Sequence, residues 1–464
     1  MAQATEYNRT ALIADPIHRY IRFTVPETKG EVTEKALIDS PWVQRLRYIY
    51  QLQSARWVFP SAEHSRFQHS LGAMHLAGQF ANHLYPSLRS ILGEECPSAP
   101  LVEEYLRVTG LLHDVGHGPF CHFFDANFLE DFSITHEDLS QAIVNKLGDI
   151  VSQLRRSPSG SFSPGESLKP EDIAFPIKKN GTEDSSKPRW IRFLQPLTSG
   201  IFTFDNLDYV SRDSYMCGVA VGPIDRERLM HYTFISPKGL TLHKVGNAAL
   251  TMFLTARLYM YTNVYYHRTT RALDLHLREI FPETIKIIFP GNPLEYMDEY
   301  LRLTDWSLLE EVSRWDNRGS GSKQLAGEWR RILYRDLKWK RVYERTLSLN
   351  EIRLGTSFLQ QDEWERRIRN SLTMSVRKLP FRVDMAIQDP RPENPFAMGK
   401  KQIYIYDPST EEITTESLSE LFEFIPAKVV QFRVYALDHE NDRLLAEIAD
   451  KTLRDSSPAL KTSI

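Results

Sequence analysis

Eight of the fourteen histidines fall between His64 and His136, and the densest run is LLHDVGHGPFCHFFD, residues 111–125. His113 and His117 stand four apart, so they share a face if a helix continues through them. Asp114 sets an anionic oxygen beside an imidazole. Gly116, Gly118 and Pro119 break the helix there, and such a bend aims side chains into a cleft. Upstream, RFQHS carries His69; downstream, FDNLDY carries Asp205 and Asp208. His69, His113, Asp114 and Asp205 make a mixed nitrogen and oxygen donor set suited to a divalent ion such as Mn, Fe, Zn, Ni or Mg. The competing reading is ordinary core or surface histidines, and it is preferred for His64, His75, His83, His231, His243 and His276.

These residues need helices to hold them. Asp39 is the expected N-cap of a helix opening with Ser40, Pro41 and Trp42. Leu71, Met74, Phe80 and Leu84 follow near-helical spacing from Phe67, with Pro86 ending the stretch. Further helices are expected over 101–112, from Thr135 with Asp138 three residues on, and over 204–217 and 247–277. Residues 156–189 are rich in Ser, Pro, Gly and Lys and read as a flexible insertion. The stretch 293–378 reads as helical and charged, interrupted at 317–323. Strands are expected at 402–407 and 429–435, then a helix over 442–450. The expected fold is mainly α, with a smaller C-terminal α+β region. Its expected parts are a core over 1–290, a helical extension over 291–380 and the C-terminal region over 381–464.

Composition narrows the function. The 464 residues are 42% hydrophobic and 25% charged, with a net charge of −3. Wholesale disorder is excluded, and no global charge excess draws the chain to nucleic acid or anionic lipid. Three cysteines are too few for a disulfide framework, and Cys121 reads as packing. No run of 18 apolar residues exists, and the first residues lack the pattern of a signal peptide, so a cytoplasmic protein is expected. The basic stretches 338–346 and 365–378 could meet single-stranded nucleic acid. Solvated helix faces paired through Glu344, Glu363 and Glu365 are the favoured reading. No P-loop, dinucleotide fingerprint or nucleophile elbow is present.

Several segments agree in order and spacing with one family. Arg66–Ser70, His113–His122, Thr135–Glu137 and Asp205–Asp213 resemble the HD-domain phosphohydrolases. The resemblance is to the dNTP triphosphohydrolase branch, in which the animal enzyme adds a sterile-alpha-motif domain; none is expected here. Asp15–His18, Ile38–Ile49, Val58–Pro60 and Tyr265–Arg268 belong to the same likeness.

The resemblance implies that His69, His113, Asp114 and Asp205 ligate a divalent metal. It makes His122 the general acid for the departing 5′-oxygen, with Asp125 on its other nitrogen, His117 on phosphate, and His136 and Glu137 supporting proton transfer. Arg66 and Arg257 have the chemistry for phosphate contacts. Gln51 and Leu52 resemble the wall against deoxyribose, Tyr209 and Asp213 the 3′-hydroxyl contacts, and Tyr265 a residue closing over the sugar. Asp39, Gln44 and Arg47 resemble contacts to an activating nucleotide, and a polar face at an oligomer interface explains them equally. Two departures stand out: Asn206 replaces a lysine that meets the triphosphate, and Ala11 replaces one at the activator site.

The expected activity is hydrolysis of a deoxynucleoside triphosphate to deoxynucleoside and inorganic triphosphate by a homo-oligomer. The rivals are a phosphatase or phosphodiesterase acting on nucleoside monophosphates, cyclic nucleotides or single-stranded nucleic acid, and a nucleotide sensor without turnover.

Overall fold

The structure, a computed structural model, describes residues 9–178, 186–222, 224–315, 323–349, 360–388, 403–415, 425 and 428–456. The interruption expected at 317–323 therefore lies outside the described residues, Lys323 excepted, as does Gln402. The chain is mainly α, with its sheets small and mostly C-terminal. It divides into two compact units. One gathers residues 1–257, 285–311 and 392–421; the other gathers 258–284, 312–391 and 422–464.

The first unit opens with an antiparallel hairpin, β1 (Thr10–Asp15) and β2 (Arg19–Thr24), that sets Asp15 opposite Arg19. Helix α1 (Pro41–Arg45) is capped by Ser40, one residue later than expected. Ser40 has the extended backbone an N-cap needs, whereas Asp39 is helical and closes the preceding turn. Helix α2 (Arg66–Leu92) runs through Pro86 rather than ending there. A proline removes only its own N–H, and the buried stripe Phe80, Leu84, Leu88 and Leu92 continues past it. Helix α3 (Ala99–Leu112) packs on α2 so closely that a Cβ on Gly110 would lie 2.9 Å from the Ala73 backbone.

Three further helices position the histidine run and the downstream aspartates: α4 (His122–Asn127), α5 (His136–Lys146) and α6 (Phe204–Cys217). The Thr135 cap of α5 is as expected, with Asp138 completing a capping box. Within 156–189, residues 156–178 are not a featureless loop. They form strands β3 (Arg156–Ser157) and β4 (Gly160–Ser161), the helical turn Pro170–Ala174 and a 3-10 turn, Phe175–Ile177. Arg156 ties the hairpin down, reaching Glu31 at 2.6 Å and the carbonyls of Arg9 and Val25. Composition hid the buried Leu168 and Ile173 among polar neighbours.

Strands β5 (Thr233–Ser236) and β6 (Gly239–His243) join C-terminal strands of the same unit in one four-stranded sheet. The expected helix over 247–277 is broken: Asn247–Met260 gives way to a π turn at Tyr261–Tyr265, and a new helix runs Arg268–Ile288. The unit also holds helix α7 (Met297–Arg302) and the start of helix α8 (Asp305–Ser313).

In the second unit, β7 (Lys340–Leu349) and β8 (Phe381–Gln388) flank β11 (Lys428–Ala436), both antiparallel to it. Helices Gln361–Ser371 and Asp442–Ser456 cover this sheet, with Trp364, Phe381, Phe432, Val434 and Leu445 in its core. Residues 338–346 are thus chiefly strand rather than helix face. Arg433 stands opposite Glu344 in the register and bonds it at 2.8 Å, so a charge read as a helical pair partner serves a cross-strand pair. Strands β9 (Tyr404–Asp407) and β10 (Glu412–Thr414) instead extend the first unit's sheet, β6 and β9 running parallel. Residues 381–464 therefore divide between the units, and boundaries at 290 and 380 do not follow the packing. No described helix is long and apolar enough to cross a membrane.

One feature of α3 is costly. Glu104 is fully buried, and neither carboxylate oxygen has a hydrogen-bond partner. Burial, then repulsion from Glu34, raises its pKa well above normal against the pull of Arg107. The folded chain holds this proton while the unfolded chain releases it above about pH 4.3. The stabilising contribution is therefore fully present below that pH and is lost as pH rises from there through the folded-state pKa. Glu104→Gln is expected to raise stability by about 1–3 kcal/mol at pH 8 and to change it little at pH 4, measured by urea unfolding across that range.

Candidate metal centre and catalytic site

Helix α2 delivers Arg66 and His69 one turn apart, behind a Ser65 and Gln68 capping box. His113 follows the last residue of α3, and Asp205 lies in the first turn of α6. The fold brings all four expected metal ligands together. Asp205 Oδ1 is 3.2 Å from His69 Nε2 and 3.6 Å from His113 Nε2; Asp114 Oδ2 is 3.7 and 3.4 Å from the same nitrogens.

The far side of each ring decides what it offers the site. His113 Nδ1 donates to the Gly110 carbonyl at 2.8 Å, and His69 Nδ1 donates to Asp208 at 2.9 Å. Each ring thus turns Nε2 inward, and both Nε2 atoms are buried without a hydrogen-bond partner. Two orphaned imidazole nitrogens facing two carboxylates fit a divalent cation. Burial disfavours charge on His69, but Asp205 and Asp208 outweigh it and raise its pKa to about 10. Against burial, His113, Arg66 and His117 hold the Asp114 carboxyl well below its ordinary range. The cluster therefore stabilises positive charge at its centre.

Asp208, absent from the sequence-derived site, organises this arrangement. Its carboxylate also accepts from His18 Nε2 at 2.6 Å and from Arg212 Nε at 2.8 Å, and Arg212 reaches Asp15 at 2.7 Å. The network lies so close to α2 that a Cβ on Gly72 would fall 2.0 Å from Asp208 Oδ1 and 2.3 Å from Arg212 Nη2. The helical spacing of Asp205, Asp208 and Arg212 was the signal for it. Asn206 serves its own helix, its side chain accepting from Thr203 N at 2.7 Å and completing the α6 capping box.

Beside the candidate metal ligands lies a second group, His117, His122, Asp125 and His136, with ligand-type atoms within 4.8 Å of one another. His117 and His136 stack face to face, their ring centroids 3.8 Å apart and their planes 13° from parallel. His122 stands edge-on to both rings, with its side chain 64% exposed. Asp125 Oδ2 bonds His136 Nδ1 at 2.5 Å and also lies 3.5 Å from the expected His122 Nδ1, so the carboxylate serves both rings. Burial, then the charge of Arg66, lowers the His117 pKa well below normal, keeping that ring neutral. Glu137 lines a cavity of about 20 Å³ with His113, Asp114 and Asp205, room for one water. Pro176 and Ile177, from the stretch read as an insertion, wall the same cavity.

The expected substrate residues are less uniformly placed. Arg66 is buried, with one nitrogen on Asp114 and another 2.9 Å from Cys121 Sγ. Tyr209 meets Arg257, whose Nε donates to the phenol at 3.2 Å. Gln51 and Leu52 are buried side by side, and Gln51 Oε1 has no hydrogen-bond partner. Asp213 is buried against His64 Nε2 at 2.8 Å. Tyr265 ends the π turn in the second unit. Among the residues that resemble activator contacts, Asp39 pairs with Lys35, Gln44 accepts from Arg47 Nε at 2.7 Å, and the Arg47 guanidinium lies 3.7 Å over the Phe67 ring. Sequence reasoning also missed Arg45, Tyr300 and Asp305. Burial raises the Asp305 pKa to about 6, although Tyr50 N and Phe120 N both donate to it.

Asp208→Asn and Gly72→Ala are each expected to weaken divalent-metal affinity by about 10–100-fold, since both release the His69 ring from its orienting carboxylate. Calorimetric titration with Mn²⁺ and metal analysis after dialysis measure this without reference to any reaction.

The HD domain family matches residues 66–171, and the HD associated region matches 224–381. The chain is 28% identical over 321 residues to the uncharacterized protein YwfO of Bacillus subtilis, covering 65% of this chain and 66% of that one. It is 29% identical over 364 residues to the human deoxynucleoside triphosphate triphosphohydrolase SAMHD1, covering 70% of this chain and 54% of the enzyme. The chain thus spans about half to two thirds of the length of these relatives. A crystal structure of a hypothetical protein from Aquifex aeolicus superposes with a TM-score of 0.67 at 25% identity, covering 96% of this chain and 100% of that one. The chain therefore carries an HD domain followed by an HD-associated region, and is similar to the SAMHD1 triphosphohydrolases of chicken and human.

Proposed function

We propose that this protein is a metal-dependent phosphohydrolase that cleaves a deoxynucleoside triphosphate to deoxynucleoside and inorganic triphosphate. One observation carries the reading: the four-ligand cluster of His69, His113, Asp114 and Asp205 stands next to a solvent-facing imidazole, His122, backed by the His117, His136 and Asp125 group. The likeness to enzymes named for that reaction supports it.

A divalent ion held by those four residues would supply charge to the α-phosphate and lower the pKa of an attacking water. Water attacks the α-phosphorus, the bond to the 5′-oxygen breaks, and His122 gives that oxygen its proton. His117, kept neutral, donates a hydrogen bond to a phosphate oxygen. Asp125 fixes the His136 ring, whose neighbouring Glu137 borders the water-sized cavity. Tyr209 and Arg257 hold the sugar and phosphate ends, and Gln51 and Leu52 pack against the deoxyribose.

A second reading has its own support. Arg66 is committed to Asp114 and Cys121, and Asn206 to a helix cap, so two positions expected to neutralise a triphosphate are occupied with structure. That favours a phosphate ester with fewer charges, such as a nucleoside monophosphate or cyclic nucleotide.

Phosphorus NMR of reactions with each dNTP and NTP, singly and mixed, in Mg²⁺, Mn²⁺ or Fe²⁺ separates the readings. Intact triphosphate is the expected product, with His122→Ala slower by about 10²–10⁴-fold and Asp205→Ala inactive. Orthophosphate or pyrophosphate as the first product would transfer the assignment to the second reading, and nucleotide binding without turnover would make the protein a sensor.

A further inference from the structure

The loop that leads into His122 has an unusual backbone. Phe120 and Cys121 are consecutive non-glycine residues at positive φ, 58° and 52°, and Cys121 has ψ −121°. Side chains disfavour this conformation, so it persists only where the surroundings impose it. The Asp305 carboxylate bonds this backbone directly. Oδ1 accepts from Phe120 N and Oδ2 from Tyr50 N, each at 2.9 Å, and the side chain is buried. The Cys121 thiol donates to the Tyr50 carbonyl at 3.1 Å, so one carboxylate joins two neighbouring chain segments.

The same stretch grips the loop again further back. Tyr300 Oη donates to the Gly116 carbonyl at 2.7 Å. Buried Arg45 donates to the carbonyls of Tyr300, Leu303 and His117, at 3.1, 2.8 and 2.7 Å. Residues 300–305 lie within the HD-associated region, outside the HD match itself.

We propose that Asp305 is a positioning residue for His122, and that residues 300–305 of the HD-associated region clamp the strained Gly116–Cys121 loop so that His122 faces the substrate. What His122 does there rests on the proposed triphosphohydrolase reading; the clamp itself does not. Above its pKa the carboxylate accepts both N–H groups. An amide in its place turns an N–H₂ toward one of them and releases that side.

The test compares the Mn²⁺-loaded full chain with Asp305→Asn, Cys121→Gly and the double variant. Asp305→Asn is expected to lower kcat by about 10–100-fold, with KM changed by less than about 3-fold and Mn²⁺ content unchanged. Amide exchange at Phe120 is expected to quicken, and the His122 ring resonances to shift while those of His69 and His113 hold. Glycine at 121 removes the penalty of that backbone, so the loss caused by Asp305→Asn is expected to be smaller in the Cys121→Gly background. A full kcat alongside faster Phe120 exchange overturns the positioning role. So does a parallel fall of kcat, metal content and melting temperature, which marks a purely structural residue. If the unaltered protein hydrolyses no dNTP, the functional reading fails on its own. Unchanged Phe120 exchange and His122 resonances in Asp305→Asn would still overturn the clamp, and changed ones would uphold it.

Discussion

The hydrogen bond from His69 Nδ1 to Asp208, buried and 2.9 Å long, decides which nitrogen of that ring faces the site. An imidazole offers one lone pair at a time, and the nitrogen that carries the proton is excluded from ligation. With Nδ1 committed to Asp208, and His113 Nδ1 committed likewise to a carbonyl, both Nε2 atoms converge on Asp114 and Asp205. Asp208 depends in turn on His18 and Arg212, and Arg212 on Asp15 in the first strand. The N-terminal hairpin thus bears on the site without contributing a ligand to it.

Burial distinguishes the neighbouring histidines. Arg66 bonds Asp114 and, with His113, holds it anionic, while burial and then the charge of Arg66 keep His117 neutral. The fully buried His117 cannot exchange protons readily with solvent. His122, two-thirds exposed and three residues from Asp125, can. Two imidazoles of the same short motif are therefore set apart by burial.

The motif residues were legible because their chemistry is local. His113 and Asp114 are adjacent, His69 is set by one helix, and the α6 boundaries, Phe204–Cys217, follow the expected range. Chain-distant interactions were not legible. Asp305 acts on Phe120 across 185 positions, and Asp208 on His18 across 190. Nothing in the local pattern of an aspartate tells whether it caps, ligates or orients. The same limit governs the misread segments. Arg156 orders a stretch of loop-like composition from a distance, and Lys340–Leu349 becomes a strand because β11 supplies its hydrogen-bonding partner.

The sequence by itself determined a mainly helical chain, a histidine and aspartate donor set suited to a divalent ion, and a likeness to the HD phosphohydrolases. Those properties follow from residue types, short spacings and helical periodicity, which are written along the chain. The tertiary structure alone decided which nitrogen each ring presents and that Asp125 bonds His136. It also committed Arg66 and Asn206 to structural partners, and brought residues 300–305 onto the loop of His122. Each of these depends on the few ångströms between side chains far apart in sequence, a distance fixed only when the hydrophobic faces of the helices pack.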